Sequence, residues 1–221
     1  MITFISEKDE IELKSYDPGT TLRELAEALE EYRLACPLKT MECKGCGECC
    51  SDNIPVLGPD LAVLQDGLGM SFEQASESVL LLPEKPDLAF RRKAIREMAE
   101  SAAITPLEAA VLFEYNNAEP IILAKQDGGE CCFLKDNLCS SYLIRPYSCG
   151  LYLCNMGEKL SFLQEMVIRQ GTWYAYYKLG WIGAEEIAHN PFLKTDSYEK
   201  LLVADFDFQL EGALEQLFFY F

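Results

Sequence analysis

The sequence predicts an α+β fold that is predominantly α-helical, with short strands and two cysteine-rich loops that converge on one site. Apolar residues recur at helical spacing from residue 61 to residue 115, and again beyond residue 158. The runs that favour strands are short. A chain of 221 residues, 49% hydrophobic and 25% charged, can bury a core without disulfides. We expect a single domain over residues 1–221, with residues 158–221 as a helical C-terminal extension.

A β-hairpin and one helix are predicted at the N-terminus. Residues 3–5 and 11–14 favour strands and flank a polar turn, which is typical of an antiparallel hairpin. Thr21 and Glu24 form a capping-box pair in front of an apolar stripe, so a helix begins there. This helix is expected to end near Pro37, because proline disfavours helical backbone in the residue before it.

The central part of the chain is predicted as a loop, three helices and a strand. The loop takes residues 37–58, and helical periodicity then runs from Leu61 to Tyr115. The signals for the three helices are Ser71 with Gln74, the stripe Leu88, Ile95, Met98, Ala99 and Ala102, and Thr105-Pro106 with Glu108. Residues 120–125 then favour a short strand, which the turn residues 127–129 end.

Two further helices are predicted after the second cysteine-rich stretch. The first is long and carries a stripe of Leu160, Leu163, Val167, Tyr174 and Tyr177. Its aromatic run, residues 173–181, has the spacing of core packing. The second helix is expected near the C-terminus, with Asp196 and Glu199 as its capping pair.

The net charge of −17 excludes some classes of partner. Binding to nucleic acid or to an anionic membrane surface needs clustered Lys and Arg, so we expect neither. The first ten residues lack the basic and apolar regions of a secretory signal, and no uncharged run is long enough to span a bilayer. A cytoplasmic location is therefore expected, where thiols stay reduced.

Ten cysteines are present, and four of them fall within residues 43–50. Cys43, Cys46 and Cys49 follow a C-x-x-C-x-x-C spacing, in which a tight turn can direct several sulfurs at one ion. The same spacing opens the bacterial ferredoxin pattern, but Cys50 follows directly and the later Cys-Pro is absent. In a reducing compartment this density of cysteines indicates metal binding rather than disulfides.

Both cysteine stretches resemble the CxxCxxCC (YkgJ-like) family of zinc- or iron-chelating proteins. The first half is Cys43-x-x-Cys46-x-x-Cys49-Cys50, and the second half of the motif is met by Cys132, Leu134, Cys139, Tyr142, Arg145, Pro146 and Cys149. Cys154 matches a further cysteine of the family. The resemblance covers residues 43–50 and 131–154, and it implies metal chelation. Flagellin lysine N-methylases are similar in carrying such a motif, but the chain has no Gly-rich turn for a methyl-donor nucleotide.

The predicted metal ligands exceed the four that one zinc ion or one cubane cluster needs. They are Cys43, Cys46, Cys49, Cys50, Cys132, Cys139, Cys149 and Cys154. There are then two sites, one polynuclear site, or some redox cysteines. The ferredoxin-like run favours an iron–sulfur cluster over zinc. Cys36 is expected to pack in the core, and the role of Cys131 stays open.

Tyr142 and Arg145 are predicted to lie around the metal ligands. Arg145 can donate hydrogen bonds to cysteine sulfurs and offset the charge of several thiolates. The alternative is that Arg145 pairs with a surface carboxylate. His189 is the only histidine and lies where a helix ends, so we expect no ligand or catalytic role for it. The pairs at 30–31 and 185–186 are interpreted as solvated glutamates.

Three functions therefore follow from the sequence. The preferred one is a cysteine-cluster protein that holds an iron–sulfur cluster for redox or cluster-dependent chemistry. The first alternative is a zinc-binding structural or metal-handling protein without catalysis. The second alternative is an enzyme of the lysine N-methylase kind, which rests on resemblance alone.

Overall fold

The predicted class is confirmed by a computed structural model, which describes residues 1–7, 10–35, 48–136, 138–151 and 156–206. Its α-helices are α1 (Leu22–Ala35), α2 (Glu48–Ser51), α3 (Gly58–Leu68), α4 (Phe72–Ser78), α5 (Leu88–Ala102), α6 (Pro106–Asn117), α7 (Tyr147–Leu151) and α8 (Glu158–Lys178). Its strands are β1 (Thr3–Glu7), β2 (Glu10–Ser15), β3 (Pro55–Val56), β4 (Leu80–Leu81), β5 (Ile121–Leu123), β6 (Leu134–Lys135) and β7 (Leu138–Cys139). Short 3-10 helices lie at 142–144, 184–187, 191–193 and 203–205.

The strands form three small antiparallel sheets. β1 and β2 make the predicted N-terminal hairpin, in which Phe4 lies opposite Leu13. β5, the strand predicted within residues 120–125, is the middle of a three-stranded sheet between β3 and β4. Val56 pairs with Ile121 on one side of it, and Leu80 pairs with Leu123 on the other. β6 and β7 form a second hairpin.

Three of the predicted helix starts are confirmed, each through a capping box. At α1 the Glu24 carboxylate accepts the Thr21 N–H at 2.8 Å, and the Thr21 hydroxyl accepts the Glu24 N–H at 3.2 Å. The same reciprocal pairs stand before α4 and α6, formed by Ser71 with Gln74 and by Thr105 with Glu108. Each pair satisfies backbone donors that the first helical turn leaves unpaired.

Helix α8 lies at the centre of the larger hydrophobic core and packs against α3, α6, β2 and β3. Its aromatic run is buried as predicted, with Trp173 only 1% exposed. Glycine permits a close approach where α8 crosses the beginning of α3. A Cβ at Gly58 would overlap the Tyr174 ring, and a Cβ at Gly171 would lie 2.9 Å from the Leu57 Cβ. This contact fixes the N-terminal end of α3 against α8.

The loops predicted around the cysteines contain more regular structure than expected. The described part of residues 37–58 includes α2 and β3, and the second cysteine-rich stretch contains the β6–β7 hairpin and α7. Each of these elements is five residues or shorter. Such short segments show no periodicity, and β3 exists only because β5, from a remote part of the sequence, pairs with it.

The predicted helix after Asp196 is wrong for the described residues up to 206. The chain turns there instead, because its backbone groups bond to the start of α1. The Leu201 carbonyl accepts the Leu22 N–H at 2.8 Å, and the Val203 N–H donates to the Thr20 carbonyl at 2.8 Å. Asp196 itself lies 3.6 Å from the Lys178 ammonium.

The interpretation of Glu186 as a solvated residue is also wrong. Its side chain is 6% exposed and accepts a hydrogen bond from Arg91 Nη1 at 2.8 Å. Arg91 Nη2 donates to Glu114 at 2.6 Å, and His189 Nε2 lies 2.9 Å from the same carboxylate. Arg92 pairs with Glu186 from the surface. This buried ionic network joins α5, α6 and the 3-10 helix at 184–187.

Among the residues that the structure describes, none of the helices has both the length and the apolar character needed to cross a membrane.

Candidate metal centre

The two cysteine stretches meet through their backbones. The Cys131 N–H donates a hydrogen bond to the Cys50 carbonyl, with a nitrogen–oxygen distance of 2.6 Å. Cys50 belongs to α2, whereas Cys131 lies in an isolated bridge with Lys125. Residues that are far apart in the sequence are therefore direct neighbours in the fold, and this brings one end of each stretch together.

A turn after β5 returns the chain to form this junction. The Gln126 N–H donates to the Glu130 carbonyl at 2.7 Å, and Gly129 adopts a left-handed φ of 90° that favours glycine. The Cys132 N–H donates to the Ala124 carbonyl at 2.9 Å. The amide of Gln126 also donates to the carbonyls of Cys131 and Leu134, at 2.9 and 2.7 Å. The cysteine pair at 131–132 is thus held from both of its sides.

Most of the described cysteines lie in or beside a small hydrophobic cluster around β3, β4 and β5. Cys131 is a member of this cluster and is 3% exposed, while Cys50, Cys132 and Cys149 pack against it half-buried. Cys139 lies on β7, opposite Leu134. Apolar surroundings of this kind limit the access of water to thiolates and to any group that they bind.

Cys149 is positioned by the N-terminal turn of α7. The carboxylate of Asp60 accepts the N–H of Tyr147 at 3.1 Å, and it also accepts the N–H of Leu57 and the hydroxyl of Tyr198. Burial raises the pKa of Asp60 to about 6, although these hydrogen bonds oppose the shift. The neighbouring Ser148 hydroxyl donates to the Pro55 carbonyl at 2.6 Å, which ties α7 to β3.

The thiols of Cys131, Cys132 and Cys149 have shifted pKa values. A hydrogen bond from the Cys132 thiol lowers the pKa of Cys131 to about 6, and the same bond raises the pKa of Cys132 well above its usual range. Burial raises the pKa of Cys149, with the nearby Cys131 as the next cause. Without a bound cation, these buried thiols resist forming several thiolates together, and a metal ion would reverse that preference.

Tyr142 and Arg145 form a clamp to α1. Arg145 Nη2 lies 3.6 Å from a Glu30 carboxylate oxygen, and its guanidinium carbon is 4.2 Å from the centre of the Tyr142 ring. The Tyr142 hydroxyl donates to the same carboxylate at 3.0 Å. The carboxylate partner is one of the two alternatives from the sequence. The charge of Arg145 also acts to lower the pKa of Cys149, so the guanidinium lies close enough to influence that thiol.

The side chains of four of the eight predicted ligands are not described by the structure. Cys43, Cys46 and Cys154 are not among the described residues, nor is Cys36, and only the backbone of Cys49 is described, within α2. Within the described ranges, no group of three cysteine, histidine or carboxylate side chains is arranged to hold a metal ion. The described cysteines offer thiols as donors. Thiolates are soft ligands that bind iron and zinc, so these residues suit an iron or zinc centre.

Two residues near the cysteines were not singled out from the sequence. Asp60 lies in the first turn of α3, and no sequence pattern shows that its carboxylate would also accept a hydrogen bond from α7. Lys125 lies shortly after β5, which ends at Leu123, and its ammonium donates to the Ser51 carbonyl at 2.8 Å. No sequence pattern marks this residue, so only the three-dimensional structure reveals the contact.

Comparison with known proteins supports the prediction that the chain binds a metal. The family model CxxCxxCC, described as "Putative zinc- or iron-chelating domain", matches residues 42–169. The match spans more than half of the chain and includes both cysteine stretches. No curated protein and no solved structure matches the chain. With its two cysteine stretches joined through the backbone, the chain belongs to the CxxCxxCC family of metal-chelating domains.

Proposed function

We propose that the protein holds an iron–sulfur cluster at a single thiolate centre and uses it for redox or cluster-dependent chemistry. The hydrogen bond from the Cys131 N–H to the Cys50 carbonyl carries this proposal, because it joins the two cysteine stretches into one place. The proposed ligands come from Cys43, Cys46, Cys49, Cys50, Cys132, Cys139, Cys149 and Cys154.

The described residues have distinct tasks in this proposal. Cys50, Cys132 and Cys149 supply thiolates, and the apolar cluster behind them keeps water away. Arg145 and Tyr142 brace the following segment against Glu30 on α1. The C-x-x-C-x-x-C run, shared with the opening of the ferredoxin pattern, favours an iron–sulfur cluster. Such a cluster, when bound, supplies one-electron transfer.

Zinc is the competing occupant, because the family description names zinc beside iron. A zinc ion bound by four thiolates would stabilise the junction without any redox change. Both occupants use the same residues, so the distinction depends on the electronic properties of the metal.

The test is to purify the protein without oxygen and to measure its visible absorption, iron, zinc and acid-labile sulfide on one sample. A broad band near ~400 nm with matched iron and sulfide supports the proposal. A colourless protein with stoichiometric zinc replaces it with a structural or metal-handling function. A protein that takes up neither metal contradicts both.

A further inference from the structure

We propose that Lys125 is a positioning residue of the metal centre, because it connects the first cysteine stretch to the second. This inference rests on the proposed metal-binding function of the junction. Lys125 belongs to neither half of the cysteine motif. It acts on the backbone that carries the cysteines and is not itself a ligand.

The side chain of Lys125 binds the first stretch. Its ammonium donates to the carbonyl of Ser51 at 2.8 Å, to the carbonyl of Asp52, and at 3.4 Å to that of Cys50. These carbonyls lie at the carboxyl end of α2, which has only four residues and carries Cys49 and Cys50. So short a helix cannot satisfy its last carbonyls internally, and a positive charge at this end is favourable.

The main chain of Lys125 binds the second stretch. Lys125 forms an antiparallel bridge with Cys131, and the residue before it accepts the N–H of Cys132. One residue therefore contacts residues 50–52 through its side chain and residue 131 through its backbone. The hydrogen bond between Cys131 and Cys50 lies between these two attachments. A movement of either stretch would break contacts to Lys125.

Lysine has the chemistry that this position needs. Its ammonium carries three donors on a single atom, so it can serve three converging carbonyls. Arginine keeps the charge but distributes its donors over a planar fork, and methionine fills similar space with no donor. We therefore expect Lys125→Met to release the carboxyl end of α2, and Lys125→Arg to restore part of the attachment.

The consequence is measured as the rate at which the bound metal leaves. Residues that orient metal ligands typically change metal affinity by about 10- to 100-fold when they are substituted. Lys125→Met should accelerate release by a factor in this range, and Lys125→Arg should give an intermediate rate. Lys135 provides the matched control, because it is an exposed lysine on β6 of the same cysteine stretch.

The experiment compares wild type, Lys125→Met, Lys125→Arg and Lys135→Met. Iron release to a ferrous chelator and zinc release to a zinc-binding dye are recorded for each holoprotein. Hydrogen exchange of peptides covering residues 48–53 and 129–134 is recorded for each metal-free protein. The proposal expects faster release and faster exchange in both peptides for Lys125→Met, with Lys135→Met unchanged.

Release and exchange rates of Lys125→Met equal to those of wild type would overturn the proposal. So would equal changes in Lys125→Met and Lys135→Met. Should Lys125→Met fail to fold, Lys125→Arg decides, since wild-type release and exchange from that variant would also contradict it. If the wild-type protein binds no metal, the proposed function fails, whereas hydrogen exchange in the metal-free variants still tests the attachment by itself.

Discussion

Cys131 and Cys132 are adjacent in the chain but differ in their surroundings. Cys131 is 3% exposed and belongs to the hydrophobic cluster, whereas Cys132 is half-buried and packs at its margin. A free cysteine in an apolar cluster behaves as a small hydrophobic residue. The structure thus places Cys131 in the packed cluster, and we propose Cys132 as the member of the pair that binds metal.

This difference predicts separate effects of substitution. Cys132→Ser should lower the metal content of the purified protein, because a serine hydroxyl is a poor ligand for a soft metal site. Cys131→Ala should keep the metal and lower the free energy of unfolding by about 1 kcal/mol, a typical value for a small loss of packing. Metal analysis and chemical denaturation of both variants check this. Loss of metal in Cys131→Ala with retention in Cys132→Ser would reverse the assignment.

Asp60 predicts a pH dependence of stability. Its pKa is raised by burial from 3.8 to about 6, so between these values the folded protein holds a proton that the unfolded chain has lost. The contribution of Asp60 to stability is therefore greatest at low pH, and it falls by about 3 kcal/mol as the pH rises through this window. Asp60→Asn should lose this dependence.

The measurement is the free energy of unfolding of wild type and Asp60→Asn from pH 4 to pH 7. The two curves should differ in slope, with wild type losing stability relative to the variant as the pH rises. A constant offset between parallel curves would show that Asp60 does not titrate in this range. The difference in the free energy of unfolding that remains at pH 7 reports the hydrogen bonds that the asparagine fails to accept.

At the scale of elements, the buried ionic network holds α5, α6 and the 3-10 helix at 184–187 together. Arg91 is 4% exposed and bonds to two carboxylates, of Glu114 and Glu186, which are themselves buried. Removing one partner of such a pair is costly because the remaining charges stay buried without compensation.

Arg91→Met should accordingly lower the free energy of unfolding by about 3–5 kcal/mol. Arg92→Met is the matched control, since the Arg92 side chain is 60% exposed and binds Glu186 from the surface, where such a pair contributes little to stability. Urea denaturation of both variants measures the difference. Equal losses in the two variants would contradict this ranking.

The elements also show how far the sequence can predict this fold. The helices capped by Thr21, Ser71 and Thr105 were predictable, because the capping residues and the apolar stripes act locally. β3 and α2 were not, since their few residues are ordered by partners that are remote in sequence. Glu186 looked solvated for the same reason, because its partner Arg91 lies on another helix.

The candidate site was predictable in its chemistry but not in its assembly. Cysteine spacing and the family resemblance predicted a set of metal ligands. They also predicted that the two stretches converge. They could not show that the backbones of Cys50 and Cys131 form the junction, or that Lys125 and Asp60 support it. Those roles depend on carbonyl and N–H positions, which leave no pattern in the side chains.

For the whole molecule, most of the hydrophobic core lies apart from the described cysteines. The larger hydrophobic cluster is built around α8, whereas the cysteines lie against the smaller cluster of the β3–β5–β4 sheet. Removing the metal should therefore leave the helical circular dichroism nearly unchanged. Hydrogen exchange should accelerate in residues 131–151 and stay slow in α8. Loss of helical signal together with metal would show instead that the ion is needed for folding.

The junction between the cysteine stretches is a hydrogen bond between main-chain atoms, so its formation needs no bond between sulfur and metal. Many small metal domains acquire their fold only when the ion arrives. For this protein we expect the opposite order, in which the main-chain junction forms first and the metal binds to it afterwards. Exchange of one metal ion for another should then proceed without unfolding of the chain.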